Sequence, residues 1–160
     1  MSGFDILRWL QSSGEVMVPK ISEKYFQTLL GQVDAVEAVS TISGFWSHRA
    51  DDTKRTFGLS LPEYQCQLVL IYTGEVANGG HAQFFSNRGN KHVDDHLAAL
   101  EATSLHGLAR TLREALYLQT DIEGLHVIDQ QAWAQISKAD GALQLFLRKN
   151  SDVVLQPERS

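Results

Sequence analysis

The segment that most constrains this chain is a glycine-rich and aromatic-rich stretch, 78–89, with the sequence NGGHAQFFSNRG. Gly79 and Gly80 adopt positive φ angles without a side-chain penalty, so they allow a sharp turn between packed helices. Asn78 is placed to bond the amides that open at the start of the next helix. The stretch therefore predicts a bend inside a packed helical fold, which we call the glycine corner (Asn78, Gly79 and Gly80).

Helical periodicity flanks the glycine corner on both sides, and no segment shows the alternation of a strand. Before the corner, the segment 60–63 reads Ser-Leu-Pro-Glu, which is a capping box with proline in the first turn. We expect the helix that it starts to end near Ala77. After the corner, a short helix over 81–87 is expected to end at Gly89. These patterns predict an all-α fold, a single compact multi-helix domain with the Gly-Gly corner between central helices.

Other element boundaries follow from weaker signals. Apolar residues at helical spacing predict one helix from Ser22 to about Ile42. Residues 47–58 are polar and are predicted to form an exposed loop. We assign Gly124 to a loop, Asp129 to the cap of the last helix and Gly141 to a break in that helix.

Length and composition fit one domain, because 160 residues with 43% hydrophobic and 21% charged content bury a sizeable core. We assign 1–160 to a single helical domain, with 1–20 and 150–160 packed more loosely. No apolar run is long enough to cross a membrane, and the first residues lack a signal-peptide pattern. The single cysteine, Cys66, cannot form an internal disulfide, so the expected compartment is the reducing cytoplasm.

The charge is unevenly spread along the chain. The net charge of −5 argues against direct binding of nucleic acid. From Asp94 to Leu147 there are eight acidic residues and three basic ones. Because these acids are scattered along the chain, they favour a solvated surface that keeps the protein soluble, and the alternative is an acidic surface for a basic protein partner. The residues assigned to the partner surface are Asp94, Asp95, Glu101, Glu114, Asp121 and Glu123.

The glycine corner resembles the signature of the DNA-mimic-protein family of bacterial domains, N-G-G-x-x-Q-[FY]-[FL]-x-N. The resemblance covers about residues 60–120. It implies an all-α fold, and the family takes its name from a member that offers carboxylates to a DNA-binding protein in place of phosphates. Two features depart from the family: His81 stands where an aromatic is more usual, and a net charge of −5 is mild for such a mimic. The matching residues are Asn78, Gly79, Gly80, Gln83, Phe84, Phe85 and Asn87, with Glu75 at the family's acidic position.

The leading hypothesis is a non-enzymatic bacterial protein-binding module that engages a DNA-binding regulator, with a homodimer also allowed. The chain has no phosphate loop, dinucleotide fingerprint or serine elbow. We therefore assign no catalytic residue, no cofactor and no metal. The residues assigned to binding at the corner are Glu75, Asn78, Gly79, Gly80, Gln83 and Asn87.

Two other functions fit the sequence. The amides of Asn78, Gln83 and Asn87 would line a cleft for a small ligand, with a divalent metal near His92 and His96, one helical turn apart. A small acidic helical domain would also suit an immunity-type inhibitor that blocks a basic active site. For the corner itself, the sequence favours a structural role, with amides that satisfy main-chain groups and glycines that permit the turn, and a binding role is the alternative.

Overall fold

The computed structural model describes residues 22–31, 34–46 and 59–154. Within these ranges the chain forms eight helices and no strand, which confirms the predicted all-α fold. The predicted loop at 47–58 lies outside the described residues. In chain order the helices are α1 (Glu23–Gly31), α2 (Ala35–Trp46), α3 (Leu61–Arg88), α4 (Val93–Ala102), α5 (His106–Tyr117), α6 (Ile122–Ile136), α7 (Ala139–Lys149) and α8 (Ser151–Val154).

The central element is α3, which packs against α2, α4, α6, α7 and α8. It begins with the predicted capping box. The Ser60 hydroxyl accepts a hydrogen bond from the amide of Glu63, and the Glu63 carboxylate accepts one from the amide of Ser60 at 2.7 Å. Its inner side is fully buried over most of its length, at Cys66, Leu68, Val69, Tyr72, Val76 and Phe84.

The predicted single helix from Ser22 to Ile42 is wrong. α1 ends at Gly31, and α2 begins at Ala35. The cause is Asp34, whose carboxylate accepts hydrogen bonds from two amides in the first turn of α2, that of Val36 at 2.9 Å and that of Glu37 at 3.2 Å. A side-chain cap of this kind starts a new helix even where the apolar spacing continues.

The predicted boundaries in the last third are also wrong. Asp121, not Asp129, caps α6, because its carboxylate accepts the amide of Gly124 at 3.0 Å. Gly124 is therefore helical, and Asp129 lies buried in the middle of α6. Gly141 lies inside α7, since one glycine costs a helix only about 1 kcal/mol.

One apolar core joins most of the helices. Cys66 lies within it, and burial raises the pKa of its thiol, with the nearby Glu63 charge adding to the effect. Among the described residues no helix is long and apolar enough to span a membrane. The cytoplasmic location stays a prediction.

Candidate functional site

The glycine corner divides α3 into two helical halves, as the sequence predicts. Gly80 has a φ of 72° and a ψ of −173°, and Gly79 also leaves the helical region. Both sites are crowded. A Cβ atom on Gly80 would lie 2.2 Å from a carboxylate oxygen of Asp129, and one on Gly79 would lie 2.2 Å from the side-chain oxygen of Gln83. Gly80 is therefore needed both for the turn and for the close approach of Asp129. Gly79 has a φ of −156°, outside the left-handed region that favours glycine, and a side chain there would meet only the flexible Gln83 side chain.

The inner side of the corner carries a buried polar pair, His81 and Asp129. The first amide after the corner, that of His81, donates to Oδ1 of Asp129 at 2.9 Å. The imidazole Nδ1 lies 2.6 Å from the same oxygen. His81 is fully buried, and the Asp129 side chain is 12% exposed. This pair fastens the second half of α3 to the middle of α6.

The network continues from His81 to Tyr72 and Thr111. The Tyr72 hydroxyl lies 2.8 Å from Nε2 of His81 and 3.3 Å from the Thr111 hydroxyl, which itself donates to the carbonyl of Leu108. A carboxylate only accepts, so Nδ1 of His81 carries a proton toward Asp129. In the neutral imidazole Nε2 is then an acceptor, and the Tyr72 hydroxyl donates to it. The network links α3, α5 and α6.

Burial sets the protonation states in this network. It lowers the pKa of His81, although the hydrogen bond and the charge of Asp129 oppose the shift. Burial also raises the pKa of Tyr72, with the charge of Asp129 adding to the effect and a hydrogen bond with Thr111 opposing it. The groups are enclosed, so a substrate has no access to them. Their arrangement holds the corner in place.

Acidification is expected to destabilise the fold where histidine titrates. The unfolded chain binds the His81 proton more tightly than the fold does, because the pKa is lowered in the fold. The contribution of neutral His81 to the free energy of unfolding is complete above the pKa of histidine in the unfolded chain, about 6.5. It is lost as the pH falls toward the pKa of His81 in the folded protein. Its slope is at most about 1.4 kcal/mol per pH unit. Urea unfolding at a series of pH values between about 8 and 5 measures it.

The His81→Gln variant isolates this contribution. It is expected to be less stable than the wild type at neutral pH, yet to lose less stability below about pH 6.5. His126 is an exposed histidine on the same helix as Asp129, and His126→Gln is expected to keep the wild-type slope. A wild-type slope in His81→Gln would show that His81 is not the group that titrates.

The outer side of the corner is organised by Glu75. Its Oε2 accepts the amide groups of Gln83 at 2.9 Å and Asn87 at 2.8 Å. Its Oε1 accepts Nε of Arg88 at 3.1 Å. The hydrogen bond from Gln83 contributes most to lowering the pKa of Glu75, and Asn87 and Arg88 add to it against the opposing effect of burial. Glu75 therefore stays ionised and joins both halves of α3.

These contacts locate the residues assigned to binding at the corner. Gln83 and Asn87 come together with Glu75, as their helical spacing indicates, while Asn78 lies exposed beside them. The two amide nitrogens that would recognise a ligand already donate to Glu75. Whether a ligand binds at the corner stays a prediction.

The residues of the predicted acidic surface fall into two groups. The loops before α4 and α6 are joined by a reciprocal amide pair, because Asn90 and Gln119 each donate to the other at 3.1 Å. These two helices therefore begin at the same end of the domain. Four exposed carboxylates of their first turns and caps lie there, and we call this set the acidic end: Asp94, Asp95, Asp121 and Glu123.

The acidic end also exposes apolar side chains. Tyr117 is 89% exposed and Ile122 is 83% exposed, the highest values for large apolar residues in the described part of the chain. Both flank the loop that leads into α6. The acidic end therefore carries exposed apolar area as well as carboxylates.

Glu101 and Glu114 do not belong to the acidic end. Glu101 lies in the last turn of α4 and accepts Arg113 at 2.9 Å and also His106. These contacts lower its pKa, with the His106 hydrogen bond contributing most. Glu114 lies 3.9 Å from Arg110 on the same helix. Both carboxylates are thus offset by basic side chains.

The two histidines proposed as metal ligands are separated by their contacts. Nδ1 of His96 is buried against the carbonyl of Leu68 at 3.0 Å, whereas Nδ1 of His92 lies 3.4 Å from Asp95. Among the residues that the structure describes, no three histidine, cysteine or acidic side chains converge in a group that could hold a metal ion.

Fold and site together define a class of all-helical domain whose central helix turns at paired glycines. A buried histidine–aspartate pair stabilises the inner side of this turn, and a glutamate stabilises its outer side. The chain belongs to the family described as DMP19-like protein, which it matches over residues 58–151, more than half of its length. This agrees, at the level of the family, with the resemblance drawn from the corner motif. The match extends past the expected limit of residue 120. Searches of curated proteins and of solved structures gave no match.

Asp129 is the site residue that sequence reasoning missed. The sequence predicts a helix cap at this position, but Asp129 shares a face of α6 with the buried residues Leu125, Ile128 and Ala132. An acidic residue within an apolar stripe at helical spacing indicates a buried partner. That signal was present in the sequence. The partner, His81, is 48 residues away in the chain, and no local pattern identifies it.

Proposed function

We propose that this chain is a protein-binding module whose acidic end receives the basic surface of a DNA-binding protein. One observation carries the proposal: carboxylates from two helix starts gather at one end of the domain beside exposed Tyr117 and Ile122. Grouped carboxylates attract lysine and arginine, and exposed aromatic side chains supply contact area at low entropic cost. Membership of the DMP19-like family and the DNA-mimic resemblance support the nature of the partner.

A DNA-binding protein suits this surface because it already carries a basic groove for phosphates. Each exposed carboxylate alone contributes at most about 1 kcal/mol. Four of them act mainly by steering the partner and raising the association rate. The apolar pair then limits dissociation once water is excluded. The proposal uses four of the six acidic residues assigned from the sequence, because Glu101 and Glu114 already contact arginine side chains. Asp95 is kept although it lies 3.4 Å from the imidazole of His92.

Neutralising the acidic end is expected to weaken partner binding strongly. The variant Asp94→Asn/Asp95→Asn/Glu123→Gln leaves the Asp121 cap of α6 intact. We expect its affinity to fall at least about 30-fold at low salt, with a flatter dependence on salt concentration. The matched control removes the same charge from exposed acids elsewhere, at Glu23, Glu37 and Asp152, and is expected to bind like the wild type.

The partner for this measurement is a regulator recovered on the immobilised protein and then purified. Calorimetry at low and high salt gives the affinities of the wild type and both variants. A duplex carrying the regulator's own binding sequence is expected to compete with the protein, since both would occupy the same groove. Binding that is insensitive to salt, or a ternary complex with the duplex, would exclude this function.

The apolar contribution is measured separately with Tyr117→Ser/Ile122→Ser. This variant keeps every carboxylate, so we expect faster dissociation with an unchanged salt dependence. The homodimer expected from the sequence stays a prediction, and light scattering at several concentrations would measure it.

A further inference from the structure

A second candidate site lies between α2, α3 and α7, in a cleft of about 330 Å³ that we call the α2–α7 cleft. A volume of this size is at the lower end of the range for small-molecule sites. Its walls are apolar at Val36, Leu70 and Ile71. Polar side chains are contributed by Ser40, Gln67 and Asp140. The cleft thus combines an apolar lining with a few polar groups, as ligand sites do.

The cleft is separate from the acidic end. The 15 residues of α6 begin at the acidic end, and α7, which carries Asp140, starts just beyond the other end of α6. At 1.5 Å per residue that helix separates the two sites by roughly 22 Å. A ligand of the cleft would therefore contact none of the residues of the acidic end.

Two acceptor groups line the cleft, the carboxylate of Asp140 and the side-chain oxygen of Gln67. Burial raises the pKa of Asp140, and the charge of Asp34 adds to this effect against a hydrogen bond from the residue's own amide. No basic side chain forms an ion pair with Asp140 within the described ranges. The side-chain oxygen of Gln67 is buried and accepts no hydrogen bond from the residues that the structure describes. Buried acceptors and carboxylates of this kind normally have a donor or a cation beside them.

We propose that the α2–α7 cleft binds a cation carried on an aliphatic chain, an alkylammonium or alkylguanidinium group. The cation would contact the Asp140 carboxylate and donate to polar groups such as Gln67. The methylene chain would pack along Val36, Leu70 and Ile71, as the stems of lysine and arginine do on apolar surfaces. The same chemistry is found in a free amine and in a basic side chain of another protein.

The test is an NMR titration of the full chain with four probes: butylammonium, butylguanidinium, N-acetyl-lysine amide and uncharged butanol. The cationic probes are expected to shift amide signals around residues 36–44, 67–71 and 140. Asp140→Asn is expected to weaken their binding at least about tenfold. The control Asp152→Asn changes the same charge on exposed α8 and is expected to bind like the wild type.

The relative affinities of the probes show whether the ligand is a free amine or a basic side chain of another protein. Tighter binding of butylammonium than of N-acetyl-lysine amide indicates a free amine, and the reverse order indicates a protein side chain. If Asp140→Asn fails to fold, Gln67→Met removes the other acceptor and is expected to weaken the cationic probes. Equal shifts with butanol and butylammonium, or unchanged affinity in the folded Asp140→Asn variant, would overturn the proposal.

Discussion

Replacing Gly80 with alanine is expected to lower the free energy of unfolding by about 3–5 kcal/mol. The φ of 72° and ψ of −173° form a combination that is almost confined to glycine and costs other residues about 1–3 kcal/mol. The new Cβ would also lie 2.2 Å from Oδ2 and 2.7 Å from Cγ of Asp129. The carboxylate would have to leave His81, and hydrogen bonds to charged groups contribute about 1.5–3 kcal/mol. Urea unfolding followed by circular dichroism measures the loss.

Gly74 provides the matched control for this substitution. It lies exposed in the same helix, and a Cβ there would meet nothing within 4 Å. Gly74→Ala is therefore expected to stabilise the protein by about 0.5–1 kcal/mol, because alanine favours the helix and restricts the unfolded chain. The two substitutions have opposite signs. A loss below about 1 kcal/mol for Gly80→Ala would contradict the crowded corner.

Removing the carboxylate itself is expected to cost about 3 kcal/mol. Asp129→Ala deprives the amide and Nδ1 of His81 of their shared acceptor inside the protein. Buried donors without a partner are costly, since water reaches them only at the expense of packing. Asp129→Asn retains one carbonyl acceptor and is expected to lose less. Equal stability of Asp129→Ala and the wild type would show that the pair does not secure the corner.

The losses of stability caused by Gly80→Ala and by Asp129→Ala are expected to be non-additive. In the Asp129→Ala background, alanine at position 80 no longer displaces a carboxylate, so only the backbone strain of about 1–3 kcal/mol remains. The double variant should therefore be more stable than the sum of the single losses predicts. If the two losses of stability were strictly additive, alanine at position 80 would not displace the Asp129 carboxylate. That result would contradict the geometry of the corner.

Features that depend on residues close together in the chain are the ones that the sequence predicts well. The capping box at 60–63, the turn at Gly79 and Gly80 and the end of the second half of α3 at Gly89 all appear as expected. Each is decided by backbone preference and by hydrogen bonds over a few residues. The shared face of Gln83 and Asn87 belongs to the same category, whereas their contact with Glu75 across the turn is not predicted from the sequence.

Features that depend on distant residues were not predictable in this way. The Asp129 partner of His81 and the Arg113 partner of Glu101 are set by which helices pack together. The reciprocal pair of Asn90 and Gln119, 29 residues apart, likewise decides which carboxylates gather at the acidic end. From the sequence, six of the eight acidic residues between Asp94 and Leu147 are assigned to one surface. Packing separates them into four that are exposed together and two with basic neighbours.

The two sides of α3 constrain how relatives of this chain can differ in length. Each added helical residue rotates the remainder of its helix by about 100°. A residue inserted between Gly80 and Gln83 would rotate Phe84 out of the core and would also move Gln83 away from Glu75. Insertions and deletions are therefore expected to be excluded from 75–88 and tolerated at exposed connections such as 89–92. Aligned relatives should show no gaps across 75–88, the block that contains the glycine corner, His81 and the contacts of Glu75.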